Sequence, residues 1–363
     1  MESTYSMKHE TVPPSQASSN TVIKKALLVA VATVFLVLIF SYYPYFQNSP
    51  VDTSIVPLKR DTSENDIKPK TLEASLSYRE KMNHIINGDS SGRWKVSESE
   101  PPAGAILPYK RIIAFYGNLY SKNMGILGEL PKQEVLNKLQ KEVKAWEEAD
   151  TLMQVQPALH YIAVTAQNLP GTANKYRLRM PFSQIDTVLK MAEKINAIVF
   201  LDIQVALSTL KEEVPQLEKY LKLPNVHLGI DPEFSMKGGQ KPGTVIGSFD
   251  AADINYTAAY LQKIVKENNL PPKILVVHRF TQGMIKNYKE IKTIPEVQVV
   301  MHMDGWGFPA KKINTYREFI SKEPVEYTGF KLFYKNDTKG NGRLLTPQEL
   351  IKLKPQPVYI QYQ

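Results

Sequence analysis

From residue 111 onward one unit recurs, a short apolar run followed by a polar loop and an amphipathic stretch, and this repetition limits the available folds more than any other feature. The apolar runs fall at 112–116, 158–164, 197–203, 226–230, 273–277, 297–303, 327–333 and 357–362. Helical periodicity fills most of the gaps, at 132–146, 182–195, 208–221, 251–268 and 311–320, with a shorter stretch after Thr346. Near-continuous apolar strands alternating with helices predict a parallel sheet buried on both faces. Eight strands in about 250 residues is the count of a closed (β/α)8 barrel of the TIM type. An open doubly wound sheet is the alternative, because periodicity does not report closure. The last strand has no helix after it, so a further amphipathic stretch at 71–87, carrying Leu72, Leu76, Met82, Ile85 and Ile86 and stopped by Gly88, is expected to fill the vacant outer position.

Ahead of the barrel, residues 26–40 contain no charge, and with Val22, Ile23 and the tyrosines that follow they approach the roughly 20 residues that cross hydrocarbon. Lys24 and Lys25 precede the stretch and Tyr42, Tyr43 and Tyr45 follow it, which puts the N-terminus in the cytoplasm and the rest outside. A charged start before an apolar run also fits a cleaved signal peptide. SYYPYFQ lacks the small residues of a cleavage site, and there is no lipobox cysteine, which favours an uncleaved signal anchor. The predicted organisation is a cytoplasmic tail (1–23), a transmembrane anchor (24–45), an extracytoplasmic stalk (46–104) with one helix at 71–87, and the barrel domain (105–363), giving a single-pass protein at the cell surface.

A net charge of +9 raises the question of nucleic acid, but Lys and Arg are scattered among Asp and Glu with no long like-charged run, so a solvated basic surface is expected and no nucleic-acid partner. The absence of cysteine excludes a disulfide framework, a zinc-thiolate site and a Cys nucleophile. There is no dinucleotide fingerprint, GxSxG elbow, HExxH or Walker sequence, and no cofactor or metal is expected from motifs.

Loops from helix to strand are short and loops from strand to helix long, notably 117–131, 165–181 and 232–250, so in a barrel the long set gathers at the C-terminal mouth where active sites are built. The residues at that mouth are Tyr116 and Asn118, Thr165 and Gln167, Asp202 and Gln204, Asp231 and Glu233, His278, His302 and Asp304, Tyr334 and Gln361. The third to sixth strands each end in Asp, Glu or His. If the fourth strand runs on through Pro232, Asp231 and Glu233 point the same way, together with Gly229 and His227. Ionisable groups on one arc of a rim shift one another's pKa, which is how a general acid stays protonated near neutral pH. A single rim Asp equally serves to cap the next helix, and His160 and His227, inside strands, read as core or lower-rim residues. Trp306 offers a flat face to a sugar ring or packs under the rim, and the glycine-rich stretch 234–248 suits a mobile lid or a flexible insertion. Catalytic candidates are Glu233, Asp231, Asp304 and Asp202; substrate-binding candidates are Tyr116, Asn118, Gln204, His278, Trp306 and Tyr334.

Two resemblances carry these residues. The order YGN…MGILGE, LDIQ, GIDPEF, VHRF and MDGWGFP resembles an uncharacterised family of bacterial membrane-anchored or lipoprotein-linked surface proteins, over 112 to about 320, and implies no activity. GIDPE is also similar to the end of the DxxDxDxE motif on the fourth strand of family 18 glycoside hydrolases, and MHMDGWG to their M-x-Y-D motif on the sixth. That resemblance implies Glu233 as general acid, Asp231 as the carboxylate that orients it and Asp304 as a ligand to the sugar. Gly229 stands where that family has another Asp, and Met303 where it has Tyr. Three functions follow as expectations: a glycoside hydrolase acting on envelope polysaccharide, a metal-dependent hydrolase using Asp202, Asp231, His278 and Asp304, and a non-catalytic glycan-binding or scaffold barrel.

Overall fold

The computed structural model describes residues 76–94 and 99–363. The expected tail and apolar span lie outside these residues, and among the described residues no helix is long and apolar enough to cross a membrane.

All eight expected strands are present: β1 Lys110–Gly117, β2 Gln154–Ala166, β3 Ile198–Ile203, β4 Val226–Ile230, β5 Lys273–Arg279, β6 Val297–Met303, β7 Tyr327–Leu332 and β8 Tyr359–Tyr362. Each pairs in parallel with the next. The ring closes where β8 pairs in parallel with β1, Tyr359 opposite Ile112 and Tyr362 opposite Phe115, so the open-sheet alternative is ruled out. Outside the ring lie α2 (Lys132–Ala149), α3 (Phe182–Glu193), α4 (Ala251–Glu267), α5 (Pro309–Tyr316) and the single turn α6 (Pro347–Leu350), with α1 (Tyr78–Ile86) preceding β1. The helix expected at 208–221 is broken into short turns, Leu210–Glu213, Val214–Leu217 and Glu218–Leu221. Pro215 sits at the break, where it lacks the N–H that a continuous helix requires. Between β5 and β6 the chain makes no α-helix, only 3-10 turns and the short strand Ile285–Lys286, which pairs with Phe249–Asp250.

Period-2 alternation divides each strand. Residues such as Ile113, Phe115, Leu159, Val199 and Phe330 face the helices and join the main core. Their neighbours face the ring interior, where the lower half is apolar: Ile112, Ala114, Ala158, Ile198, Phe200, Ile274, Val276 and Val300 form a second cluster. Tyr78, Met82 and Ile85 of α1 belong to that same cluster. α1 therefore does not take the vacant outer position; it lies across the lower end of the barrel and stoppers it. Three apolar residues at i, i+4 and i+7 make one face of a helix, and the small Ala114 and Ala158 leave them room. Hydrogen bonds and an ion pair tie it to segments that lead into strands. Gln356 N–H donates to Ile85 O at 2.7 Å, Asn87 Nδ2 donates to Leu353 O at 2.9 Å, and His84 meets Asp150, the partner of Arg111, at 2.9 Å. A Ser77–Glu80 capping box starts the helix and Asn87 in the left-handed region ends it, one residue before the predicted Gly88 stop.

Candidate active site

The same alternation makes the upper half of the interior polar. Tyr116, Asp202, Asp231, His278, Asp304, Lys331 and Gln361 all project inward from the strands or their ends and are at least nine-tenths buried, and His160, His302 and Tyr359 lie one layer beneath, fully buried. So many polar side chains share one barrel because two inward positions carry none. A Cβ at Gly229 would stand 2.4 Å from both His160 Nε2 and Asp202 Oδ1, and one at Gly329 2.5 Å from His302 Nδ1. The Asp that family 18 hydrolases place at position 229 therefore has no space here: His160 and Asp202 already fill it. Gly229→Ala is expected to displace His160 or Asp202 and to cost about 1–3 kcal/mol, the usual penalty of overpacking, read as a lower urea midpoint with unchanged slope.

Charges alternate through this layer. Lys331 Nζ lies 2.9 Å from Asp304 Oδ1, Asp304 Oδ2 lies 2.7 Å from His278 Nδ1, and His278 Nε2 lies 3.5 Å from Asp202 Oδ1. The Tyr116 hydroxyl donates to Asp202 Oδ2 at 2.9 Å, and His160 Nε2 approaches Asp202 Oδ1 at 3.2 Å. Burial alone would raise Asp304 and Asp202, but Lys331 and His278 hold the first, and His278 and His160 the second, well below the usual carboxylate range. Burial disfavours a charge on His278, yet Asp202 and Asp304 outweigh it and push the ring up to about 10. His160 is driven down to about 4, chiefly by burial.

Above this layer opens a cleft of about 460 Å³. Glu233 lies in its wall, held by the backbone: β4 ends at Ile230, and Pro232–Phe234 form a 3-10 turn capped by Asp231, whose Oδ1 accepts the Glu233 N–H at 3.0 Å. Glu233 thus reaches the cleft through a turn, where strand alternation through Pro232 was expected. The Glu233 carbonyl accepts the Gly247 N–H at 2.7 Å, tying the end of the glycine-rich loop to the site. Burial first, then the Asp304 charge, raise the Glu233 carboxyl from 4.5 to about 7. Burial also lifts Asp231 well above the usual carboxylate range.

Tyr116, Gln204, Asp231, Glu233, Asp304 and Trp306 all line the cleft. Asp202 and His278, with no exposed surface, lie sealed beneath the floor and touch no open space. The substrate-binding expectation for His278 fails with that burial, and two more fail with it. Tyr334 follows the outward parity of Phe330 and Leu332, stacks on Tyr362 and donates its hydroxyl to Glu142 on α2 at 2.7 Å. Asn118 is buried beyond the end of β1, where its Nδ2 donates to Ile162 O at 3.0 Å and its Oδ1 accepts the Tyr120 N–H at 2.8 Å, so it shapes the first loop. Of the metal set read from the sequence, Asp304 is engaged by Lys331 and Asp231 by the Glu233 backbone. Sequence reasoning missed Lys331; the available signal was a lysine two residues beyond Gly329 on the inward parity of an otherwise apolar strand. It also left His160 among the core.

No protein-family profile matches this chain, and no curated protein matches it. Among solved structures it is similar to Thermotoga maritima Cel5A in complex with cellobiose, at 12% identity over 69% of this chain and 88% of that one, with a TM-score of 0.36. It is also similar to a trimodular GH5_4 subfamily endoglucanase, at 8% identity over 78% and 57% with a TM-score of 0.38. Burkholderia cenocepacia dihydropteroate synthase follows at 8% identity over 70% and 86%, with a TM-score of 0.31. These likenesses are too loose to carry an argument about chemistry. The class defined here, a closed eight-stranded parallel barrel with a polar mouth, rests on the strand pairing itself.

Proposed function

We propose that this barrel is a glycoside hydrolase acting on envelope polysaccharide, held outside the membrane by residues 24–45, with Glu233 as its general acid. One observation carries the reading: a cleft-lining carboxyl raised to about 7 beside a second, Asp304, that Lys331 and His278 hold ionised. That division of labour is what cleavage of a glycosidic bond requires, one carboxylic acid to protonate the leaving oxygen and one carboxylate to face the oxocarbenium-like centre or activate water. Asp304 takes the second role. Asp231 is a positioning residue, since its Oδ1 fixes the Glu233 backbone. Asp202 acts from beneath the floor by receiving the Tyr116 hydroxyl, and does not reach a substrate itself.

Trp306 supports a sugar ligand. The residue remains 52% exposed at the cleft edge, the condition for stacking on the apolar face of a pyranose. Trp306→Ala is expected to raise KM about fivefold, the equivalent of about 1 kcal/mol of lost ring contact, with kcat little changed. The direct test is sugar release from peptidoglycan and other cell-wall glycans by the full chain and by Glu233→Gln. Equal rates from the two remove Glu233 from the mechanism, and glycan binding without turnover by the native chain assigns the barrel to recognition alone.

A further inference from the structure

Three fully buried side chains beneath the cleft floor converge on a single point. His160 on β2, Asp202 on β3 and His278 on β5 each offer one atom, Nε2, Oδ1 and Nε2, all within 4.8 Å of one another. The distances to Asp202 Oδ1 are 3.2 Å from His160 and 3.5 Å from His278. Contacts of that length between imidazole and carboxylate are ordinarily hydrogen bonds, but here neither has the alignment of one. His160 Nε2, Asp202 Oδ1 and His278 Nε2 each lack a hydrogen bond to any described residue.

The opposite ends of the same three side chains are all satisfied. His278 Nδ1 meets Asp304 Oδ2 at 2.7 Å, His160 Nδ1 meets the Tyr359 hydroxyl at 2.5 Å, and Asp202 Oδ2 accepts the Tyr116 hydroxyl at 2.9 Å. The Tyr359 oxygen is itself fixed by Gln361 Nε2 at 2.9 Å. Outer atoms anchored by hydrogen bonds, and inner atoms left bare and aimed at one another, is how metal-binding side chains are held: the outer bond selects the tautomer and turns the free nitrogen inward.

We propose that His160, Asp202 and His278 bind a divalent first-row transition ion, with two imidazoles and one monodentate carboxylate as its protein ligands. Two donors about 2.05 Å from a tetrahedral ion stand about 3.3 Å apart, between the two separations measured to Asp202. Imidazole with carboxylate suits Zn²⁺, Mn²⁺ or Fe²⁺, and not Mg²⁺ or Ca²⁺, which take oxygen donors. The ion takes the place of the Nε2 proton of His278, and the Nδ1–H of His278 still donates to Asp304. It sits directly under Tyr116, whose ring centroid is 5.3 Å from that of His160 and 5.8 Å from that of His278, and pins β2, β3 and β5 together below the cleft floor. Gly229 gains a second meaning, since any side chain there would intrude between His160 and Asp202. The assignment does not depend on Glu233 as an acid: a chain that binds the ion yet cleaves no glycan upholds it.

The test uses the full chain, stripped with a chelator and then given Zn²⁺, Mn²⁺, Co²⁺ or Mg²⁺ separately. Zn²⁺, Mn²⁺ or Co²⁺ is expected to bind at about one ion per chain and to raise Tm, with no effect of Mg²⁺. His160→Gln is expected to abolish this binding, and Asp304→Asn, which weakens the bond that orients His278 and also removes the charge facing Lys331, to weaken it about 10–100-fold. His84→Gln, at the lower end of the barrel, should leave it intact. Because buried variants sometimes fail to fold, the unaltered chain supplies an independent readout: bound Co²⁺ is expected to show the intense visible bands of a four- or five-coordinate site with nitrogen ligands. A weak octahedral Co²⁺ spectrum, well under one ion per chain, or undiminished binding by folded His160→Gln overturns the proposal.

Discussion

Glu233→Gln is expected to slow glycan hydrolysis by about 10²–10⁴-fold, the range contributed by a positioned general acid, while the circular dichroism spectrum stays that of the native barrel. Glutamine keeps the shape and the backbone bonds that place residue 233, since these run through Asp231 Oδ1 and Gly247 and do not involve the side chain. What is lost is a proton poised for transfer. With the Glu233 carboxyl raised to about 7, activity of the native chain should fall as pH rises through that value, and the residual activity of the variant should lack that limb.

The same shift has a consequence for stability. In the unfolded chain Glu233 gives up its proton near 4.5, in the folded chain near 7, so between these values the native state holds more protons than the unfolded one and stability falls as pH rises. The full displacement corresponds to about 3 kcal/mol, reduced by whatever solvent reaches the cleft wall. Glu233→Gln should therefore be more stable than the native chain above pH 7 and lose that advantage toward pH 4.5, a combination of lost activity and gained stability that an ordinary structural residue does not produce.

Lys331→Met carries the other large expectation, a loss of about 3–5 kcal/mol measured by urea unfolding, because it removes one partner of a buried ion pair and leaves the other. Lys331 and Asp304 are 2% and 8% exposed and their charged atoms lie 2.9 Å apart. His278 remains beside Asp304 at 2.7 Å, which places the expectation toward the lower end of that range. Lys331→Met combined with Asp304→Asn should be less destabilised than the sum of the two single changes, since neither then faces an unpaired charge. Activity should fall in both, since the single change takes from Asp304 the cation that keeps it ionised and the double change takes away its carboxylate.

The barrel was legible because its strands are buried on both faces and stand out as apolar runs, and because β/α alternation leaves few other architectures. Closure was not legible, since it depends on pairing between the first and last strands, Ile112 with Tyr359. The stripe of Tyr78, Met82 and Ile85 announced a helix, yet not that it would stopper the barrel, because an apolar face states only that something apolar covers it. At the mouth, Asp231, Glu233 and Asp304 were found by their place after strands. Glu233 arrived by a different route from the one expected, a capped 3-10 turn. Tyr334 sits at a strand end but on the outward parity, which its place after the strand does not reveal, and a histidine inside an apolar strand, such as His160, looks like core until its neighbours across the ring are known.

The central claim is that the Glu233 carboxyl is protonated near neutral pH. An infrared difference spectrum between the native chain and Glu233→Gln shows the C=O band of that protonated carboxyl, and the same subtraction with Asp231→Asn identifies the band of Asp231, which the Glu233 charge helps to raise. The account predicts a band present at about pH 6 that disappears with a midpoint near 7; a band absent at that pH and lost already near 4.5 would contradict it.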